Sequence, residues 1–318
     1  MSLSEPISTV SSTEANEAPM ATTPGVPVSL IKALRVHQWI KNLLVFVPLL
    51  MAHKVFDTTS LVRATYALVT WCLCASGIYL LNDVFDLKTD RMHPRKQHRP
   101  LAAGAITSRS VWVLVPLLLI AGLAIGFVML PKPFGLALVL YLGLTTAYSM
   151  YLKRLLMVDV LVLAGLYTLR VLSGGFATGI PVSPWLLAFS MFLFLSLAFV
   201  KRYTELRTVT PESAPLTSRR NYRIEDTELL KNFGTVSGYL SVLVLVLYIN
   251  SKEVVSLYRR PTILWLVGPC LLYWITRVWL LAHRGKMHDD PIVFTVKDPA
   301  SYVVGAMVVA VIVAATLL

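Results

Sequence analysis

Charged side chains are scarce in this 318-residue sequence. Asp, Glu, Lys and Arg together make up 14% of it, whereas a soluble domain carries about 25%. Hydrophobic residues make up 56%, and the mean hydropathy is +0.68. This composition excludes an ordinary soluble domain, because most of the surface must face something other than water. The sequence therefore predicts a membrane protein.

Cysteine is also rare. Cys72, Cys74 and Cys270 lie in apolar stretches and show no CxxC spacing. These features exclude a disulfide framework and a cysteine-based zinc site. We therefore expect the three thiols to be inert residues of the core or of the lipid-facing surface.

The N-terminal segment lacks any long apolar run. Residues 1–28 are rich in Ser, Thr, Pro, Ala and Glu, and they lack the basic start and apolar centre of a signal peptide. We predict that residues 1–28 form a disordered tail and that residues 29–318 form one transmembrane domain.

The rest of the chain alternates between apolar stretches and polar connections. A helix needs about 20 residues to cross a bilayer, and the apolar stretches are close to that length. We predict an all-α membrane protein with about nine transmembrane helices. The predicted spans are 39–56, 61–81, 111–130, 134–151, 155–175, 184–200, 232–250, 261–282 and 300–318.

The net charge of +12 could indicate a nucleic-acid partner, but its distribution indicates membrane topology instead. In the nine-span arrangement, 21 of the 29 Lys and Arg residues fall on one side and six on the other. Basic residues accumulate on the cytoplasmic side of membrane proteins. We therefore predict a multi-pass protein of the cell membrane with a cytoplasmic N-terminus, an external C-terminus and no nucleic-acid partner.

Four oxygen-bearing side chains follow the second predicted span, namely Asn82, Asp83, Asp86 and Asp90. Since each helical residue turns by about 100°, all four share one face. Three carboxylates on one face repel each other unless a cation lies between them. Mg²⁺ commonly joins carboxylates to substrate phosphates. The pattern predicts a Mg²⁺ site with catalytic aspartates, although a solvated acidic helix start is the simpler alternative.

The same connection continues with a basic run, residues 91–100 (RMHPRKQHRP). Cations beside metal-binding carboxylates suit a bound diphosphate, whose charge exceeds that of one Mg²⁺. We predict that Lys96 and Arg99 bind substrate phosphate. The alternative is that the run only fixes the orientation of the chain in the membrane.

This connection resembles a known motif. Asn82-Asp83-x-x-Asp86-x-x-x-Asp90, followed by residues 93–94 (HP) and 99–104 (RPLAAG), is similar to the first aspartate-rich motif of the UbiA superfamily. The members of that superfamily are intramembrane prenyltransferases, so the resemblance implies the same activity here and a fold of nine helices around a central cavity. It also implies Mg²⁺, a donor that bears a diphosphate, and a lipid substrate that enters from the membrane.

The second aspartate-rich motif of that superfamily is replaced here. After the sixth predicted span the chain reads KRYTEL over residues 201–206, with Lys201, Arg202 and Glu205 on one helical face. Two cations there should bind phosphate directly instead of holding a second Mg²⁺. We predict that Lys201 and Glu205 are catalytic and that Arg202 binds substrate.

The KRYxEL pattern resembles the branch that includes decaprenyl-phosphate phosphoribosyltransferase. Residues 38–42 (QWIKN), 169–175 (LRVLSGG) and 287–291 (MHDDP) also fit that branch. The resemblance implies substrate-binding roles for Lys41 and Asn42. It also implies transfer of 5-phosphoribosyl from its diphosphate to a polyprenyl phosphate.

Two ionisable residues fall inside the fifth predicted span, where charge is costly. Asp159 and Arg170 stand about 16 Å apart along a helix, so we do not expect a direct pair. We predict that Asp159 binds substrate, with structural pairing as the alternative. Both roles remain open for Arg170.

The sequence thus predicts a Mg²⁺-dependent transferase with its site on the cytoplasmic side and with lipid and diphosphate-bearing substrates. It leaves open whether the protein forms a homo-oligomer. One alternative is prenyl transfer from an isoprenyl diphosphate to an aromatic acceptor. A membrane transporter is a second alternative, although transporters place their charges near the midplane. A CDP-alcohol phosphatidyltransferase is disfavoured, because its companion DG and AR residues are missing after Asp83 and Asp86.

Overall fold

The fold is helical throughout the described chain. The computed structural model describes residues 26–92, 96–207, 221–287 and 290–318, and these ranges contain no strand. Of the predicted disordered tail, residues 1–25 lie outside the described residues, whereas the first helix already begins at Val26.

The helices vary widely in length. In chain order the α-helices are α1 (Val26–Ala33), α2 (Val47–Met51), α3 (Thr58–Phe85), α4 (Leu87–Met92), α5 (Ser108–Val128), α6 (Lys132–Met150), α7 (Val158–Thr178), α8 (Pro184–Arg207), α9 (Thr227–Ile249), α10 (Lys252–Val255), α11 (Val267–His283), α12 (Pro291–Lys297) and α13 (Pro299–Leu317). The 3₁₀ helices are Val36–Phe46, Lys96–His98, Leu152–Arg154, Ile224–Asp226 and Pro261–Leu266.

Eight helices in the described part of the chain are long and apolar enough to cross a membrane. They are α3, α5, α6, α7, α8 and α13, together with the continuous helical segments Ile224–Ile249 and Pro261–His283. These eight helices match the second to ninth predicted spans. The prediction of an all-α, multi-pass membrane protein is therefore confirmed.

The first predicted span, 39–56, differs from the others. The structure has the 3₁₀ helix Val36–Phe46 followed directly by α2, and Pro48 lies in the first turn of α2, where a missing N–H costs nothing. A 3₁₀ helix rises about 2.0 Å per residue, against about 1.5 Å in an α-helix. The 3₁₀ part therefore reaches about 22 Å and α2 about 8 Å. Together they approach the thickness of the apolar membrane core, which is about 30 Å.

Helix α7 lies at the centre of the bundle. It packs against α3, α6 and α8 and also against the Val36–Met51 segment. The closest approach is at Gly174, where an added β-carbon would overlap the carbonyl group of Val45. Only glycine lets the two backbones come this close. Gly174 therefore fixes the position of the 3₁₀ helix.

Two buried apolar clusters flank α7. The first joins Val160 and Ala164 of α7 to α8 and α11, and the second joins Leu166 and Leu169 to α3 and α6. Large apolar side chains such as Leu117 on α5 point outward and are exposed. Exposed apolar faces of this kind suit a lipid environment.

The charged ends of several helices meet at one end of the bundle. Lys201, in the last two turns of α8, contacts Asp290 just before α12, and Arg202 contacts Asp159 in the first turn of α7. Asn82, near the end of α3, lines the same cavity as Lys201. The connections after α3 and α8 therefore start from the same end of the bundle. The orientation of that end in the membrane stays a prediction from the distribution of Lys and Arg.

Candidate active site

Two carboxylates and two guanidinium groups meet where α3 ends. Asp83 accepts hydrogen bonds from Arg35 at 2.5 Å and from Arg99 at 3.1 Å. The same nitrogen of Arg99 donates to Asp90 at 2.6 Å. Asp83 and Asp90 are 5% and 2% exposed. We call these four residues the carboxylate corner.

The backbone keeps the predicted aspartate face only in part. Helix α3 ends at Phe85, but the amide of Asp86 still bonds the carbonyl of Asn82, and that of Asp90 bonds Asp86. Helical bonding thus continues across the junction and brings Asp83 and Asp90 to one arginine. Asp86 does not join them in a tight cluster. Among the described residues, no three His, Cys, Asp or Glu side chains form a group that could hold a metal ion.

The carboxylate corner is nevertheless arranged around a positive charge. One guanidinium nitrogen, Nη1 of Arg99, lies within 3.1 Å of both Asp83 and Asp90. Carboxylate oxygens that converge on one cation are also the donors that Mg²⁺ prefers. Their chemistry therefore fits Mg²⁺, and Arg99 marks where a cation is stabilised.

A second charged group consists of Lys41, Lys201 and Asp290. Nζ of Lys41 and Nζ of Lys201 both contact Oδ2 of Asp290, at 2.8 and 3.2 Å. The other oxygen of Asp290 accepts from the amide of Ile292 at 3.2 Å and so caps α12. Burial opposes ionisation, but the two lysines outweigh it and hold the pKa of Asp290 well below its usual range. We call Lys41 and Lys201 the ammonium pair.

One cavity of about 280 Å³ reaches the ammonium pair and the edge of the carboxylate corner, where Arg35 lines it; Asp83, Asp90 and Arg99 are not among its lining residues. Arg35 and Asn82 line it on the side of the carboxylate corner, and Lys41, Lys201 and Asp290 line it on the other. Its remaining wall is rich in tyrosine. The other lining residues are Gln38, Ile78, Tyr79, Tyr141, Thr145, Tyr148, Ser149, Leu163, Leu166, Tyr167 and Arg170. None of these described lining residues is a histidine.

Arg170 forms the deep wall of the cavity and is 5% exposed. Its Nε donates to Asn42 at 3.0 Å, and its guanidinium group lies 4.9 Å from the ring of Trp71 and 5.1 Å from that of Tyr141. Aromatic faces stabilise a buried guanidinium group through their quadrupoles. Asn42 is buried and does not line the cavity, and its expected contact with substrate stays a prediction.

Asp159 and Arg202 lie apart from the cavity lining. Arg202 is 2% exposed and donates to Asp159 at 2.5 Å, to Tyr148 at 2.7 Å and to Glu205. Asp159 is fully buried and also accepts from Tyr222 at 2.5 Å. Arg202 is surrounded by its three partners in the interior, whereas Lys201, the residue before it, lines the cavity. The phosphate contact expected of Arg202 and the substrate contact expected of Asp159 therefore stay predictions.

The remaining predicted residues are peripheral to the cavity in this structure. Lys96 lies in the 3₁₀ helix Lys96–His98 and does not line the cavity, and Glu205 faces Arg202. His93 and Pro94 of the first motif lie outside the described residues, as do His288 and Asp289 of the 287–291 stretch.

Sequence reasoning missed three features of the cavity. Asp290 was visible only as part of the MHDDP stretch, which carried no assigned chemistry. Arg35 precedes the first span and reads as an orienting charge. The tyrosines, such as Tyr79 and Tyr167, read as ordinary membrane aromatics, because nothing in the sequence shows that they face a shared cavity.

Comparison with known protein families shows which family the chain belongs to. The UbiA prenyltransferase family matches residues 43–297, which is most of the sequence. The chain belongs to the UbiA prenyltransferase family. This UbiA protein is therefore a membrane-embedded transferase.

Three curated relatives are similar over much of the chain. The uncharacterized protein y4nM of Sinorhizobium fredii is 35% identical over 87% of this UbiA chain, which spans 54% of that longer protein. The nodulation protein NoeC of Azorhizobium caulinodans is 34% identical over 86% of this chain and 88% of its own. Decaprenyl-phosphate phosphoribosyltransferase of Mycolicibacterium smegmatis is 34% identical over 70% of this chain and 71% of its own.

A solved structure has the same fold. A UbiA homolog from Archaeoglobus fulgidus, bound to DMAPP and Mg²⁺, superposes with a TM-score of 0.68 at 17% sequence identity. The match covers 89% of this UbiA chain and 99% of the homolog. The predicted UbiA-like fold is therefore confirmed.

Proposed function

We propose that this protein transfers the 5-phosphoribosyl group from phosphoribosyl diphosphate to a polyprenyl phosphate. The observation that carries the proposal is the cavity itself. Arg35 and Asn82 connect it to the carboxylate corner, while Lys41 and Lys201 line its other side. Such a cavity offers separate positions for a metal-bound diphosphate and for other phosphate groups.

The proposed reaction exchanges one C–O bond for another. The bond between ribosyl C1 and the diphosphate oxygen breaks, and diphosphate leaves with the bonding electron pair. An oxygen of the lipid phosphate forms the new bond to C1. The acceptor is already an anion, so no general base is needed, which agrees with the absence of histidine among the described lining residues.

The carboxylate corner is the proposed metal site. Asp83 and Asp90 would hold Mg²⁺, with Asn82 and Asp86 as further proposed ligands on the same helical run. When bound, Mg²⁺ would offset charge on the leaving diphosphate. Arg35 and Arg99 are proposed to bind diphosphate oxygens that the metal leaves uncompensated.

The ammonium pair is the proposed contact for phosphate oxygens on the other side of the cavity. Lys201 stands near the position where most relatives are expected to carry an aspartate motif, and it points at the cavity. Decaprenyl-phosphate phosphoribosyltransferase of Mycolicibacterium smegmatis, at 34% identity, supports the same choice of donor. The proposal assigns no chain length to the lipid.

The donor can be tested directly in proteoliposomes that contain a polyprenyl phosphate. One sample receives phosphoribosyl diphosphate labelled in the ribose, and a second receives an isoprenyl diphosphate labelled in the prenyl chain. We expect the ribose label alone to enter the lipid fraction, in a Mg²⁺-dependent manner.

The opposite result has a definite meaning. Incorporation of the prenyl label alone would overturn the phosphoribosyl assignment and would favour prenyl transfer, while membership of the family would stand. Asp83→Asn protein provides the negative control for either label, because it lacks a carboxylate of the corner.

A further inference from the structure

Asp290 lines the cavity although the proposed substrates are anions. It is a carboxylate in a place that must accept phosphate groups, and an ionised one, since its pKa is held low. A negative charge there opposes the binding of anions. Its presence therefore needs an explanation beyond packing.

The contacts of Asp290 show that it acts on both lysines together. One oxygen atom contacts both ammonium groups, so the two Nζ atoms lie at most 6.0 Å apart, the sum of 2.8 and 3.2 Å. Lys41 comes from the 3₁₀ helix and Lys201 from α8, and in the described chain Asp290 is the carboxylate that joins them. The cluster carries a net charge of one instead of two.

The carboxylate is also rigid. Its second oxygen caps α12 through the amide of Ile292, and Pro291 starts that helix. The hydroxyl of Tyr167 lies 3.5 Å from the oxygen that binds the lysines. A group fixed at both ends is suited to hold other side chains in place, and it is poorly suited to move away when a ligand arrives.

We propose that Asp290 is a positioning residue that acts as an internal counter-anion: it holds Lys41 and Lys201 at the cavity and weakens their hold on diphosphate. A site with two ammonium groups and no counter-anion would retain the leaving diphosphate and slow turnover. The ammonium groups remain available, because each has three donor hydrogens. The inference rests on the proposed release of diphosphate, but it does not depend on which group is transferred.

The first test measures binding of inorganic diphosphate to purified protein by calorimetry, in excess chelator so that the lysine side alone is probed. Asp290→Asn keeps the capping oxygen but removes the charge. A diphosphate oxygen bound to the same lysine would lie about 5 to 6 Å from Asp290, a distance at which removing one negative charge strengthens binding roughly ten- to a hundredfold. We expect tighter binding by about that factor.

A matched control exists on the next helix. Asp298 caps α13 and pairs with Arg277 at 2.6 Å, away from the cavity lining. Asp298→Asn should leave diphosphate affinity unchanged. Asp290→Glu, which retains the charge, should stay within a few-fold of the wild type. The proposal requires tighter binding when the charge is removed, whereas a purely structural role predicts no increase in affinity. Equal or weaker binding by folded Asp290→Asn protein would therefore overturn the proposal.

Kinetics give a second readout. Asp290→Asn should lower KM for the donor and also lower kcat, because product is held longer.

If Asp290→Asn fails to fold, Lys201→Met serves instead: it leaves one ammonium facing one carboxylate and should weaken diphosphate binding at least tenfold. Retention within threefold would contradict the account. A positive binding result without ribosyl transfer would reject the proposed function and leave this inference intact.

Discussion

At the scale of single residues, Lys201 and Arg202 show how neighbours in the sequence acquire different roles. Lys201 has a side chain that is 32% exposed and faces the cavity, whereas Arg202 is 2% exposed and is bound to Asp159, Tyr148 and Glu205. A helix places adjacent residues about 100° apart, and here that rotation turns Lys201 to the cavity and Arg202 to the interior.

This difference predicts separable effects of two substitutions. Lys201→Met should lower turnover by roughly ten- to a hundredfold without loss of stability, the scale of one charge-assisted contact. Arg202→Met should instead lower the free energy of unfolding by about 3 to 5 kcal/mol, because it leaves Asp159 charged and unpaired in the interior. Thermal unfolding and turnover of the two variants, measured side by side, check both statements. A stable Arg202→Met protein with selectively weakened donor binding would instead support Arg202 as a phosphate ligand.

The residues of the site were predictable where local pattern decides and unpredictable where packing decides. Asp83 and Asp90 follow from helical periodicity, and the structure brings them to one guanidinium nitrogen. Helical periodicity describes only neighbours within one helix, so it could not predict the ion pair between Arg202 and Asp159, which lie 43 positions apart. Asp290 could not be connected with Lys41 for the same reason, since their contact joins distant parts of the chain.

At the scale of elements, the 3₁₀ helix Val36–Phe46 is the part of the fold that the sequence described least well. Its residues are as apolar as those of a regular span, so composition predicts an α-helix there. The segment contacts α7 closely at Gly174, where an added β-carbon would overlap the carbonyl group of Val45, and hydropathy carries no information on such a tertiary contact. The same element carries Lys41 and Asn42, so its geometry sets one side of the cavity.

A glycine pair on α7 tests this role. Gly174→Ala should lower the free energy of unfolding by about 1 to 3 kcal/mol, because a β-carbon must push the 3₁₀ helix away. It should also reduce turnover, since Lys41 moves with that helix. Gly165→Ala is the control: the same helix has open space there, so the substitution should be neutral or stabilising by up to about 1 kcal/mol. Equal thermal unfolding midpoints for the two variants would contradict the packing argument.

At the scale of the whole molecule, the fold was predictable because lipid imposes a simple rule. Each crossing needs about 20 apolar residues with internal hydrogen bonds, and eight predicted spans reappear as helices of that kind. The arrangement of those helices around one cavity came from resemblance, since hydropathy carries no information on which helices are neighbours.

The orientation of the molecule gives a further prediction. Single cysteines introduced at Ser108 and Asn221, both exposed at the charged end, should react with a membrane-impermeant reagent from the cytoplasmic side. A cysteine at Ser256, between α10 and Pro261, should react from the opposite side. Cys-free protein supplies the background. Labelling of Ser108 and Asn221 positions from different sides would break the account, because both connections must reach one cavity.

The central claim is that the carboxylate corner and the ammonium pair bind one donor in one cavity. The most direct measurement is the affinity of purified protein for phosphoribosyl diphosphate, with Mg²⁺ and with chelator, in wild type, Asp83→Asn and Lys201→Met protein. Asp57→Asn, at the exposed start of α3, is the control, because Asn caps a helix as well as Asp. We predict that Mg²⁺ strengthens binding in wild type and Lys201→Met protein but not in Asp83→Asn protein. We also predict that Lys201→Met weakens binding about tenfold or more, both with Mg²⁺ and with chelator. Full Mg²⁺ dependence in Asp83→Asn protein, or wild-type affinity in Lys201→Met protein, would contradict the claim.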